Sequence, residues 1–127
     1  MQADEKRLLE LRQEGLCCAS MLVQLGLELK GDRNPQMVQA AGALCNGLWN
    51  GGACGAETGA VCTLGLFDRR ELSEMSREFS EWFEETYTEA YGGCRCRDIL
   101  GDNPFSHKME RCPQIIMASW QKAREIL

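Results

Sequence analysis

Eight cysteines lie within 127 residues, and half of them stand where helices are expected to begin. Cys54-Gly55-Ala56-Glu57-Thr58-Gly59 sets a thiol among small residues, where the glycine-rich stretch 46–53 turns into a helix. Cys18 falls in the first turn after Gly15, and Cys96 precedes a short helical turn at 97–100. Cys112 stands just before Pro113, the N-cap position of an expected last helix. A helix N-terminus carries unpaired N–H groups and partial positive charge. Both favour thiolate, the form that attacks disulfides and ligates metals. Arg95, Arg97 and Arg111 flank two of these positions and push the same way. Cys18, Cys54, Cys96 and Cys112 are therefore the candidate metal ligands, with Gly55 and Gly59 shaping the site. Cys54 is the candidate nucleophile if the chemistry is thiol–disulfide exchange.

The other four thiols read differently. Cys94 forms a Cys-x-Cys pair with Cys96 and is the reserve ligand. Cys45 and Cys62 fall in apolar helical runs and read as small buried hydrophobes. Cys17 points about 100° away from Cys18 on a helix, so the two do not readily share a partner. No C-x-x-C, C-x-x-C-H or ferredoxin spacing occurs, which argues against a thioredoxin-type dithiol, a zinc ribbon and covalent haem. His107 reads as a solvated loop residue and Glu57 as a solvent-facing one.

The elements that must position these thiols read as helices with glycine-containing loops. The segment 4–14 is charged with scattered leucines; 16–29 is apolar nearly all round, as a core or interface helix is. Asn34 caps a helix with Pro35 at its first position, running to about residue 44. From Cys54 to Leu66 small residues dominate, so neighbours can approach closely. Asp68-Arg69-Arg70-Glu71 has capping-box spacing. After it, Leu72, Met75, Phe79, Phe83 and Tyr87 repeat at three- and four-residue steps, and Gly92-Gly93 ends the run. A turn-rich stretch at 101–107 precedes the last helix, expected from Pro113. The sequence thus predicts an all-α, single-domain helical bundle of about five to six helices over 1–127.

The bulk properties bound the partners. Nineteen acidic against fourteen basic residues leave a net charge of -5 without a basic stripe, which argues against nucleic acid. No apolar run reaches the roughly 20 residues of a membrane span, and residues 1–7 do not read as a signal peptide. A cytoplasmic location is expected, where disulfides are rare and many cysteines more often mean metal or redox work. The apolar segment 16–29 makes a homodimer an expectation.

These residues resemble the C_GCAxxG_C_C family of redox-active proteins. Its C-G-A-x-x-G motif matches Cys54–Gly59. Its early Cys-Ala helix start matches Cys18-Ala19-Ser20-Met21, and its Arg-x-Leu-Leu-Gly-like turn matches Cys96-Arg97-Asp98-Ile99-Leu100-Gly101. Its last cysteine matches Cys112. The resemblance implies a redox role, and some family members are described as selenoproteins. This chain departs from the pattern by four further cysteines. Three functions follow. The first is a 2Fe–2S or 4Fe–4S cluster, or zinc as the alternative, held by Cys18, Cys54, Cys96 and Cys112, with electron transfer to a redox partner protein. The second is a cofactor-free thiol redox protein using Cys54. The third is a helical module without chemistry.

Overall fold

The computed structural model describes residues 3–127. Among these there are seven α-helices and no strand: α1 (Ala3–Gln13), α2 (Cys18–Lys30), α3 (Pro35–Ala41), α4 (Gly55–Gly65), α5 (Leu72–Tyr91), α6 (Cys96–Leu100) and α7 (Pro104–Ile126). The chain is all-α, as the sequence predicts, with one more helix than the upper expectation.

α2 is the central helix. It packs against α1, α3, α4 and α7, and eight of its thirteen residues are buried. Most of its apolar surface is thus buried within one chain, with Leu29 left exposed. α4 is its closest neighbour, and the small residues explain how. A Cβ built on Gly59 would lie 2.7 Å from Ala19 Cα, and one on Gly26 would lie 2.5 Å from Thr63 Cγ2. The Thr63 hydroxyl, fully buried, is within reach of the Gly59 carbonyl at 2.9 Å and the Leu22 carbonyl at 3.0 Å. That satisfies a polar group which would otherwise cost about 1–3 kcal/mol to bury.

α5 lays Phe79, Phe83 and Tyr87 on the core. Their spacing of four places them on one face, and fully burying each side chain is worth roughly 1.5–3 kcal/mol. Gly92 ends the helix in the left-handed conformation at φ 79°. Asp68 does not cap α5 directly. Its carboxylate accepts from the Arg70 and Glu71 amides, shaping the turn before the helix starts at Leu72. Asn34 does cap α3, accepting from the Met37 amide at 3.1 Å, and a tight 3-10 turn at Gly42–Leu44 continues it.

Two features correct the sequence reading. The last helix starts at Pro104, not Pro113, so Pro113 lies inside α7. The stretch expected as a turn-rich loop is helical from residue 104. His107 is consequently half-buried in α7, with Nδ1 2.6 Å from the Leu100 carbonyl oxygen; facing an acceptor, that nitrogen carries the proton. The second correction concerns Cys17 and Cys45, which form a disulfide with Cα atoms 6.1 Å apart. Cys45 is buried as expected, but cross-linked rather than free. Closing a loop with a sequence separation of 28 stabilises by roughly 3–4 kcal/mol in the chain-entropy account.

Candidate functional site

Four separate segments bring Cys18, Cys54, Cys96 and Cys112 to one cavity of about 840 Å³. Cys18 is the first residue of α2, and Cys54 is the N-cap of α4. Cys96 opens α6, placed by the Asp98 carboxylate, which accepts from the Arg95 amide. Cys112 reaches the cavity from the middle of α7. It is therefore not at a helix N-terminus, and the activation expected for it there does not apply.

Glycines let these segments meet. A Cβ on Gly55 would collide with Cys18 Sγ and stand 3.4 Å from Cys45 Cα. Gly47, at φ 61°, would bring a Cβ within 2.8 Å of Cys96 Cβ and 2.5 Å of the Gly52 backbone. The turn that carries it is unusual. Asn46, Gly47, Leu48 and Trp49 all have positive φ, between 52° and 61°, a region that costs non-glycine residues roughly 1–2 kcal/mol each. The turn is held by Lys108 Nζ on Asn46 Oδ1 at 2.7 Å and by Trp49 Nε1 on the Gly42 carbonyl at 2.9 Å. The Cys96 amide donates to the Gly52 carbonyl at 2.8 Å, joining the turn to α6.

The electrostatics oppose the expectation of ready thiolates. Burial pushes the Cys54 thiol far above its usual range, and the neighbouring Cys18 and Cys112 sulfurs add to this. The Ala56 and Glu57 amides at the start of α4 lower it, but less. Burial also raises Cys112, to about 11, reinforced by Cys18 and Cys96. Cys18 and Cys96 rise by burial too, Cys96 further through Cys18, with Lys108 pulling both down. Cys54, Cys96 and Cys112 are thus each raised by other sulfurs of the set, and burial holds all four as neutral thiols near pH 7. Helix N-termini do supply stabilising amides here, but burial and mutual repulsion exceed them.

The remaining thiols lie elsewhere. Cys94, the reserve ligand, does not line the cavity. Its surroundings are Glu57, Glu84 and Thr88, and burial with the two carboxylates raises its pKa. Cys62 is half-buried on α4 against the smaller core cluster. Glu57 is not simply solvent-facing: burial and Glu84 raise its carboxyl to about 7. Sequence reasoning missed the cavity's apolar extension along α1 and α7, past Leu8, Leu9, Ile116 and Met117. Those residues carry only ordinary core periodicity, so no signal marked them. Among the described residues no three His, Cys, Asp or Glu side chains converge closely enough for a single metal ion.

No helix among the described residues is long and apolar enough to cross a membrane. Comparison with curated proteins and with solved structures finds no match. One family model does match, over residues 16–126, and its description is "Putative redox-active protein (C_GCAxxG_C_C)". That span holds Cys18, Cys54, Cys96 and Cys112 and the Cys54–Gly59 motif, and the chain belongs to the C_GCAxxG_C_C family.

Proposed function

We propose that Cys18, Cys54, Cys96 and Cys112 hold an iron–sulfur cluster and that the protein transfers electrons. The observation that carries this reading is the convergence of four thiols, from four segments, on one cavity. The donor set fits the group. Thiolates are the ligands of such clusters, and a cluster takes them around a volume, each sulfur on its own side. Zinc held by the same thiolates is the alternative, and metal analysis separates the two.

The charge pattern supports the same reading. Burial raises all four thiols, neighbouring sulfurs raise Cys54, Cys96 and Cys112 further, and Lys108 offsets this only in part at Cys18, Cys96 and Cys112, so ionising the set calls for more positive charge. A bound metal centre supplies that charge and displaces the protons. When bound, the cluster would add one-electron redox chemistry. The chain's own residues would fix the sulfurs in a largely apolar lining, and the Ala56 and Glu57 amides favour the Cys54 thiolate. The alternative, Cys54 as a cofactor-free nucleophile, is opposed by its burial, which keeps the thiol protonated.

The test is anaerobic purification followed by a visible spectrum and iron, sulfide and zinc analysis. Iron and sulfide in equal amount, with charge-transfer bands that Cys54→Ser abolishes, are the expected result. A colourless protein free of metal after reconstitution with iron and sulfide would overturn the reading.

A further inference from the structure

The Cys17–Cys45 disulfide lies outside the proposed ligand set, yet it borders the same cavity. Cys17 is the N-cap of α2, one residue before Cys18. Cys45 directly precedes the turn Asn46–Trp49, whose four positive φ angles persist only if the surroundings hold them. That turn is a wall of the cavity: Asn46 and Trp49 line it together with Cys18, and the Asn46 backbone acts on the Cys18 thiol by lowering its pKa against burial. The cross-link therefore anchors a strained segment at the point where it enters the site.

The surroundings also accommodate the open form. Cys17 Sγ lies 3.5 Å from Ser20 Oγ, and Cys45 Sγ lies 4.0 Å from the Ala41 carbonyl oxygen. Each freed thiol has an acceptor at hand, so opening the bond strands no buried donor. Access is one-sided. Cys45 is fully buried, whereas Cys17 is partly exposed and borders both the main cavity and a second one of about 730 Å³. An external thiolate can thus reach the bond only at Cys17.

We infer that Cys17–Cys45 is a reversible latch, opened by small thiols, that fixes the 46–49 turn and controls access to the four-cysteine cavity. Opening runs by two exchanges. A thiolate attacks Cys17 Sγ, and the Cys45 sulfur leaves with the bonding pair, takes a proton and rests against Ala41. A second thiolate then attacks the outer sulfur of the mixed disulfide, releasing Cys17 as a thiol and a small-molecule disulfide. Two small thiols are oxidised and the protein disulfide is reduced by two electrons and two protons. Closing is the reverse, with a glutathione-type disulfide as oxidant. In a reducing compartment a disulfide is more often a sensor than a staple. The latch depends on the cavity's geometry and not on the cluster, so the two readings fail separately.

The experiment compares the full chain equilibrated with oxidised or reduced glutathione. Hydrogen–deuterium exchange is followed over 42–53, with iodoacetamide labelling of Cys18 and Cys96. The expected result is reversible opening in the folded protein, with amide exchange at 47–52 and labelling of Cys96 each faster by about 10-fold or more, as local release of one segment requires. Cys45→Ala should match the open form without reductant, and Cys62→Ser should behave as wild type. A bond that yields only when the protein unfolds would overturn the inference. So would opening that leaves exchange and labelling unchanged in the wild-type protein, whether or not Cys45→Ala folds.

Discussion

Gly59→Ala should separate the two helices that carry Cys18 and Cys54. The added Cβ would stand 2.7 Å from Ala19 Cα, 3.0 Å from its carbonyl oxygen and 3.2 Å from its Cβ. Two of these are backbone atoms, which cannot rotate aside. Carbon atoms sit comfortably at about 3.5–4.0 Å, so α2 and α4 must part by roughly 0.8 Å or more. Overpacking of this kind costs about 1–3 kcal/mol, and rigid backbone places it at the upper end. Ala is better than Gly inside a helix by about 1 kcal/mol, leaving a net loss near 2 kcal/mol. Gly65→Ala is the control on the same helix. Its nearest neighbours are Leu72 side-chain carbons at 3.7 and 3.9 Å, so only propensity acts, a gain of about 0.5–1 kcal/mol. Urea unfolding followed by circular dichroism should show the two midpoints moving in opposite directions at constant slope. The Tm values should differ by roughly 10 °C for a chain of this size. Iron retention after reconstitution should fall in Gly59→Ala alone. Equal stability of the two variants would refute the argument that Ala19 blocks position 59.

Cys96→Ser should lose most of the bound iron, whereas Cys94→Ser should retain it, because only Cys96 borders the cavity; iron and sulfide analysis checks both, and the reverse pattern would make Cys94 the ligand. Glu57 supplies a pH test. Burial and Glu84 raise its carboxyl from 4.5 to about 7, so its contribution to stability is full below pH 4.5 and is lost as pH rises through 7. Glu57→Gln should match wild type below pH 4.5 and gain about 1 kcal/mol at pH 8, a value reduced for the partial exposure of the group; a pH-independent difference in urea midpoints would count against it. Binding of cobalt(II), used as a coloured thiolate probe, should strengthen as pH rises toward 9, since each ligating thiol must release its proton; a flat absorbance titration over that range would contradict the buried-thiol argument.

Local rules recovered those parts of the fold that local forces decide. The Phe79, Phe83, Tyr87 stripe and Gly92 mark α5 because burial of one face and a left-handed terminus are both written in short-range spacing. The Asn34-Pro35 start of α3 is equally local. Pro113 misled for a physical reason. An interior proline removes a hydrogen bond and strains the helix, so a helix start is the cheaper local reading. In the protein α7 continues through it because tertiary contacts hold both sides: Ile115, Ile116 and Trp120 are buried beyond it, and Arg111 Nη1 donates to the Ile99 carbonyl at 2.6 Å before it. The Cys17–Cys45 bond was illegible because α3 and its 3-10 turn bring together residues that no short pattern relates. The apolar segment 16–29 announced burial but not the neighbours that supply it, α1, α3, α4 and α7.

The cysteines divide along the same line. Small residues and helix starts mark where Cys18, Cys54 and Cys96 sit, and the cavity gathers them together with Cys112. The charge state of the sulfurs is another matter, because a helix terminus acts through a few amides while burial acts through the whole surrounding fold. At Cys54 both effects are present on one sulfur, and burial outweighs the Ala56 and Glu57 amides. The helix start therefore fixes the position of the thiol without ionising it. Ionisation of four such neighbours requires a positive charge among them, and Lys108 supplies part of it at Cys18, Cys96 and Cys112. A site arranged for nucleophilic attack would place its cation beside the motif cysteine. Burial with Cys18 and Cys112 keeps the Cys54 thiol protonated, which counts against a free nucleophile at the motif cysteine and is the charge problem that the proposed cluster would relieve.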